Sequence, residues 1–102
     1  MKVSFRTNRL RKCFEQQKSG VREWGDVMAT NYIRRIKAIQ AAACFDDLPK
    51  LPQLNFHPLT GDKRGEYAVN LTGRARIILK KKMEDGHEIA EICDVDLTHY
   101  GD

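Results

Sequence analysis

The sequence predicts an α+β order of elements, β-α-α-β-β-β-β, in which two N-terminal helices pack on a twisted antiparallel sheet. Three observations predict it. Trp24, Met28, Tyr32, Ile36, Ile39 and Ala43 recur at three- and four-residue steps, the apolar stripe of an amphipathic helix. Tyr67, Val69 and Leu71 alternate with Glu66, Ala68, Asn70 and Thr72, the period-two pattern of a half-buried strand. Gly61-Asp62, Gly65, Thr72-Gly73 and Asp85-Gly86 supply the turn punctuation of the second half.

Each element follows from its residues. Lys2 to Arg6 reads as a short strand with Val3 and Phe5 on one face. Thr7 or Asn8 caps a first helix, in which Leu10, Cys13 and Phe14 recur at helical spacing, and Ser19-Gly20 ends it. Arg9, Arg11, Lys12 and Lys18 occupy its remaining surface. The second helix begins near Val21 and runs to about Ala43; Gly25 weakens the pattern early, so a start nearer Asp26 is the alternative. Pro49 and Pro52 prohibit continued helix and mark a connection from Asp46 to Pro52. A short strand is expected over Leu54 to His57, followed by strands from Glu66 and from Arg74. Asp85-Gly86 makes a hairpin into a last strand over His87 to Asp96. The parity of Ile89, Ile92 and Val95 is imperfect, which predicts a bulge or burial on both faces.

At 102 residues the chain is expected to form a single domain, 1–102, with a modest core that needs no staple. Apolar residues at 41% and charged residues at 31% argue against disorder. Cys13, Cys44 and Cys93 are odd in number and lack metal-ligand spacing, which reads as reduced thiols. No apolar run approaches a bilayer span, and Met1 to Arg6 lacks the apolar centre of a signal peptide; a cytoplasmic location is expected, with no membrane partner. The net charge of +4 is unevenly distributed. From Met83 onward there are seven acids and no Lys or Arg, so all 18 cations lie in the first 82 residues. Such a basic surface favours a polyanion, most often nucleic acid, by counterion release.

One stretch carries candidate chemistry. His57 precedes the Gly61-Asp62-Lys63-Arg64-Gly65 turn, and Arg74 and Arg76, two apart on a strand, are expected to leave the same sheet face. A histidine, turn cations and two arginines could converge on a phosphate. Lys80-Lys81-Lys82 reads first as a solvated guard on an edge strand, and Lys80 and Lys82 as nucleic-acid contacts second. Arg9, Arg11 and Lys12 are similarly candidates for docking on nucleic-acid phosphates. His87, beside a turn, is assigned no role.

His57-Pro58-Leu59-Thr60-Gly61-Asp62-Lys63-Arg64-Gly65, with Tyr67-Ala68-Val69 and Arg76-Ile77-Ile78, resembles the His-Pro-Leu-Lys-Gly-Asp-Arg-x-Gly … Trp-x-Ile … Trp-Arg-Ile pattern of HigB toxins, members of the RelE/ParE toxin–antitoxin superfamily. The resemblance spans nearly the whole chain in length and element order. It implies a ribosome-dependent messenger-RNA endonuclease that cuts in the A site by 2′-OH attack on the adjacent phosphate, without metal or other cofactor. It also implies neutralisation by a helix-turn-helix, HigA-like antitoxin, through which alone the complex would bind operator DNA. Carried over by position, His57 matches the motif histidine, for acid/base work or phosphate contact, and Arg76 the strand arginine that stabilises the phosphate. Thr60 stands where the motif has lysine, with Lys63 or Arg64 as substitute cations. The ending Asp96-Leu97-Thr98-His99-Tyr100 holds the residue types of the Asp-Tyr-His ending of many relatives in changed order, so His99 or Tyr100 could shuttle a proton. Two other functions compete: a ParE-like gyrase inhibitor of the same fold, and a non-catalytic module that binds antitoxin or RNA.

Overall fold

The computed structural model describes residues 1–97. Strand β1 (Lys2–Phe5) leads into helix α1 (Asn8–Glu15), where Thr7 is the N-cap and its hydroxyl accepts the Leu10 N–H at 3.2 Å. Helix α2 (Gln17–Trp24) follows after one extended residue, Gln16, and helix α3 (Asp26–Ala41) after Gly25. The expected pair of helices is therefore a trio. Ser19 and Gly20 lie inside α2 rather than ending α1, because Gly20 is a contact residue: a Cβ there would stand 3.0 Å from the Ala29 Cβ on α3. The break falls at Gly25, whose φ of 87° lies in the region that glycine adopts without steric cost.

The segment from Phe45 to Leu54 is a pair of 3₁₀ turns, Phe45–Lys50 and Pro52–Leu54, as two nearby prolines require of a chain that keeps turning without an α-helix. The strand expected over Leu54 to His57 is displaced: β2 covers His57–Pro58 only. A third 3₁₀ turn (Gly61–Lys63) precedes β3 (Tyr67–Thr72), β4 (Ala75–Glu84) and β5 (His87–Asp96). Both residues of the Asp85-Gly86 turn have positive φ, 51° and 79°, the type I′ geometry that suits the twist of a hairpin.

The sheet order is β1-β5-β4-β3-β2. Its pairs are antiparallel except β1 with β5, which is parallel with Lys2 opposite Ile89 and Phe5 opposite Ile92. The fully antiparallel sheet of the sequence reading is thus corrected at one edge. β4 lies in the middle, but β3 pairs with it only as far as Leu79, so Lys80 to Lys82 extend past β3 and pair with β5 alone, leaving their other side an edge. Between Ile78 opposite Asp94 and Leu79 opposite Ile92, one residue of β5, Cys93, is unmatched. This is the bulge that the apolar parity predicted: Cys93 and Asp94, which pairs with Ile78, both fall on the outer side, so Ile92 and Val95, three apart, share the core face.

One face of the sheet carries the main core: Val69, Leu71, Ala75, Ile77, Leu79, Ala90, Ile92 and Val95 pack with Leu10, Cys13, Tyr32, Ile36 and Ile39 of the helices. Tyr32 is wholly buried, donates its hydroxyl to the Leu10 carbonyl at 2.8 Å, and meets Trp24 edge-on at 4.8 Å between ring centroids. Phe45, Phe56 and Tyr67 close the core near β2 with ring centroids 4.9 to 5.5 Å apart. The outer sheet face has only a small apolar floor of Leu59, Ala68, Ile78 and Cys93. No helix among the described residues is long and apolar enough to cross a membrane.

Candidate functional site

The outer face is polar around that floor, and strand parity puts the candidate residues there. His57 pairs with Ala68, Ala68 with Ile78, and Arg76, two before Ile78, pairs with Asn70. Alternation then gives His57, Arg76, Lys80 and Lys82 the same outer face as Ile78. Two strand spacings and two residues separate His57 from Arg76, which is about 12 Å between their Cα atoms. Side chains of their length can flank one phosphate across that gap.

His57 is half-buried, and its Nδ1 lies 2.9 Å from the Asn55 carbonyl. A carbonyl only accepts, so Nδ1 carries the hydrogen and donates it. In neutral imidazole the lone pair is then on Nε2, which can take a proton and return it. Asn55 is left-handed at φ 46°, a conformation asparagine tolerates better than most residues, and this bend aims its carbonyl back at the ring.

Arg76 is largely withdrawn from solvent, its side chain 11% exposed, and its Nε and Nη2 both point at Asp96 Oδ2 at 3.4 Å. The carboxylate sits directly across the β4–β5 pairing and orients the guanidinium. Arg74 is not on the strand: it occupies the two-residue turn with Gly73, so the expectation that it shares a face with Arg76 is corrected. Lys63 and Arg64 are exposed in the loop between β2 and β3. Arg9, Arg11 and Lys12 belong to α1, in the helical layer on the opposite side, where Arg9 pairs with Glu23 at 2.8 Å and Arg11 bonds Asn8. The structure therefore does not bring the α1 cations together with His57 and Arg76. His99 and Tyr100 lie outside the described residues.

Sequence reasoning missed the other charged group of this face. Arg6, just past β1, reaches Glu66 at 3.5 Å, Glu91 at 3.7 Å and the Cys93 sulfur at 3.2 Å. Lys80 and Lys82 also meet Glu91, at 3.8 and 3.4 Å. Burial pushes the Cys93 thiol up to about 11, so it is a protonated floor residue at neutral pH and not a nucleophile. Among the described residues no group of three His, Cys, Asp or Glu could hold a metal ion.

By sequence the chain matches no family model and no curated protein. Its fold does match solved structures. A YoeB/ParE toxin from Agrobacterium tumefaciens has a TM-score of 0.57 at 16% identity, covering 98% of this chain and 100% of that one. YafQ from E. coli strain BL21(DE3) gives 0.52 at 13% identity, over 91% and 88%. The YoeB–YefM complex from Staphylococcus aureus gives 0.52 at 12% identity, over 98% of both chains. The fold is RelE-like. Helices on one face of a mostly antiparallel five-stranded sheet, at nearly full coverage of both chains, carry that statement, and identities this low carry no more than the fold.

Proposed function

We propose that this chain is the toxin of a type II toxin–antitoxin pair and a ribosome-dependent endonuclease that cuts messenger RNA in the A site. The observation that carries the proposal is a sheet face, bare of helices among the described residues, on which an imidazole donating from Nδ1 and a carboxylate-held arginine stand about 12 Å apart at their Cα atoms. The RelE-like fold, shared with a protein described as a YoeB/ParE toxin, supports it.

The chemistry assigns one task to each group. The ribose 2′-OH attacks the adjacent phosphorus and the 5′-oxygen leaves, giving a cyclic phosphate. Nε2 of neutral His57 accepts the 2′-OH proton, a role worth about 10²–10⁴ in rate. Arg76 donates to the non-bridging oxygens as charge grows on the phosphorane, worth about 10²–10³ by analogy with a lost oxyanion donor. Because Asp96 already holds the guanidinium, little reorganisation is needed when that charge develops. His99 or Tyr100 protonates the leaving oxygen. Lys63 and Arg64 from their loop, with Lys80 and Lys82 on the face, contact the RNA backbone; Arg74 contacts it from the turn, and Arg9, Arg11 and Lys12 dock on ribosomal RNA from the helical side.

A cognate antitoxin of the helix-turn-helix, HigA-like kind masks the basic surface, and through it the complex binds operator DNA; the solved YoeB–YefM complex is a precedent for a bound partner on this fold. The protein acts in the cytoplasm. The test is cleavage of a message on ribosomes with an empty A site, by wild type, His57→Ala and Arg76→Ala. Cleavage confined to the A-site codon, dependent on ribosomes and lost with Arg76→Ala, supports the reading. No cleavage by active wild type overturns it and makes gyrase inhibition the next assay.

A further inference from the structure

Glu91 is a crowded carboxylate of the outer face. Its side chain is 12% exposed, while the three cations around it are 44% (Arg6), 39% (Lys80) and 44% (Lys82) exposed. The acid lies beneath and the cations face solvent. All three ion-pair distances, 3.7, 3.8 and 3.4 Å, exceed the 2.7–2.9 Å of a strong charge-assisted hydrogen bond. Two carboxylate oxygens cannot satisfy the five donors of one guanidinium and the three of each ammonium. Counting Glu66, which shares Arg6, the group holds three cations and two acids, a residual of one positive charge.

This arrangement is a loosely filled anion site. We propose that Arg6, Lys80 and Lys82 form a phosphate subsite for the backbone of single-stranded RNA, with Glu91 as the built-in counter-ion that the phosphate displaces. The pairing brings the three together: β1 lies parallel to β5 with Ser4 opposite Glu91, and β4 sets Lys80 opposite the same residue from the other side. Lys80 is four residues along β4 from Arg76 on the same face, about 13 Å away. The subsite therefore takes a different phosphate from the one at Arg76, and it fixes the direction in which the strand crosses the sheet. A backbone phosphodiester has two charged non-bridging oxygens, as many as the carboxylate, and reaches the cations from the solvent side, where it adds acceptors for donors that Glu91 alone cannot satisfy. Glu91 keeps the face soluble and non-sticky in the absence of RNA, and lowers affinity for stray polyanions.

The proposal rests on the functional reading for the identity of the polyanion, and its test separates the two. Binding of a labelled oligouridylate is followed by fluorescence anisotropy over a series of salt concentrations, for wild type, Glu91→Gln and Lys82→Gln. Removing the internal competitor in Glu91→Gln tightens binding about fivefold and steepens the salt dependence by about 0.7 in log–log slope. Lys82→Gln changes both in the opposite direction. Addition of inorganic phosphate to the wild-type protein shifts the amide resonances of Arg6, Lys80, Lys82 and Glu91. Equal or weaker binding by a folded Glu91→Gln overturns the proposal and leaves the cluster an internal ion-pair network only. If Glu91→Gln does not fold, unchanged affinity in Lys82→Gln together with no phosphate-induced shift at these four residues overturns it equally. Tighter binding by Glu91→Gln alongside a wild type that cuts nothing on ribosomes keeps the subsite and removes the nuclease. Cleavage with no change in affinity does the reverse.

Discussion

Tyr32 ties α1 to α3, and replacing it with phenylalanine isolates one hydrogen bond in a place where the structure also predicts a crossing of stabilities with pH. The ring is wholly buried and meets Trp24 edge-on, and Tyr32→Phe keeps both features while deleting the hydroxyl that donates to Leu10. At neutral pH the loss is that of one net intramolecular hydrogen bond, about 1 kcal/mol. Burial pushes the phenol well above its ordinary range, so the folded protein retains the proton where the unfolded chain gives it up. Above about pH 10 the unfolded state binds fewer protons than the native state, and wild-type stability falls by up to about 1.4 kcal/mol per pH unit from this residue. The phenylalanine variant has no such loss. Titrating groups common to both proteins largely cancel in the difference, which starts near 1 kcal/mol in favour of wild type and closes to zero at about pH 11. Urea unfolding of both proteins at neutral pH and at steps up to pH 11 measures it. A difference that stays constant with pH would refute the assignment of a buried, hydrogen-bonded phenol.

Three further outcomes follow from the geometry. Gly20→Ala destabilises the α2–α3 contact, because the new methyl stands 3.0 Å from the Ala29 Cβ, and thermal unfolding shows a lowered Tm where a solvent-facing helix glycine would show a gain. Asn55→Ala costs about 1–2 kcal/mol from the left-handed backbone and loosens His57; Asn55→Gly spares the strain, so ribosomal cleavage by the glycine variant exceeds that by the alanine variant. Ellman's reagent at neutral pH labels half-buried Cys44 first, whereas Cys13 and Cys93, both buried and with thiols pushed up by burial, react only as the protein unfolds.

The parts of the molecule set by local patterns were legible in the sequence. The stripe through Tyr32, Ile36 and Ile39 is core, β3 begins within a residue of its alternating run, Asp85-Gly86 turns the last hairpin, and the uneven parity of β5 is a bulge at Cys93. What was misread depends on contacts between distant residues. Gly20 looks like a helix stop because its lack of a side chain is visible and the Ala29 methyl that requires it is not. The parallel pairing of β1 with β5 joins the chain's first and last strands, and no turn signal announces such a pair. Arg6 was overlooked for the same reason: its neighbours Glu66 and Glu91 are 60 and 85 positions away in sequence and arrive only through that pairing. Arg74 was placed on a strand because a two-residue turn at Gly73 consumes one more residue than its pattern reveals. His57 and Arg76 do share the outer face, but the Asn55 carbonyl and the Asp96 carboxylate that orient them needed the backbone geometry to be seen.

The most direct test of the central claim is single-turnover cleavage of a defined message on ribosomes with an empty A site, comparing wild type with Arg76→Ala and following the 3′ ends. The account predicts one cut in the A-site codon, a 2′,3′-cyclic phosphate on the upstream product, no cut without ribosomes, and a rate lowered at least about a hundredfold in Arg76→Ala. Cleavage at full rate by a folded Arg76→Ala, or none by wild type on active ribosomes, would contradict it.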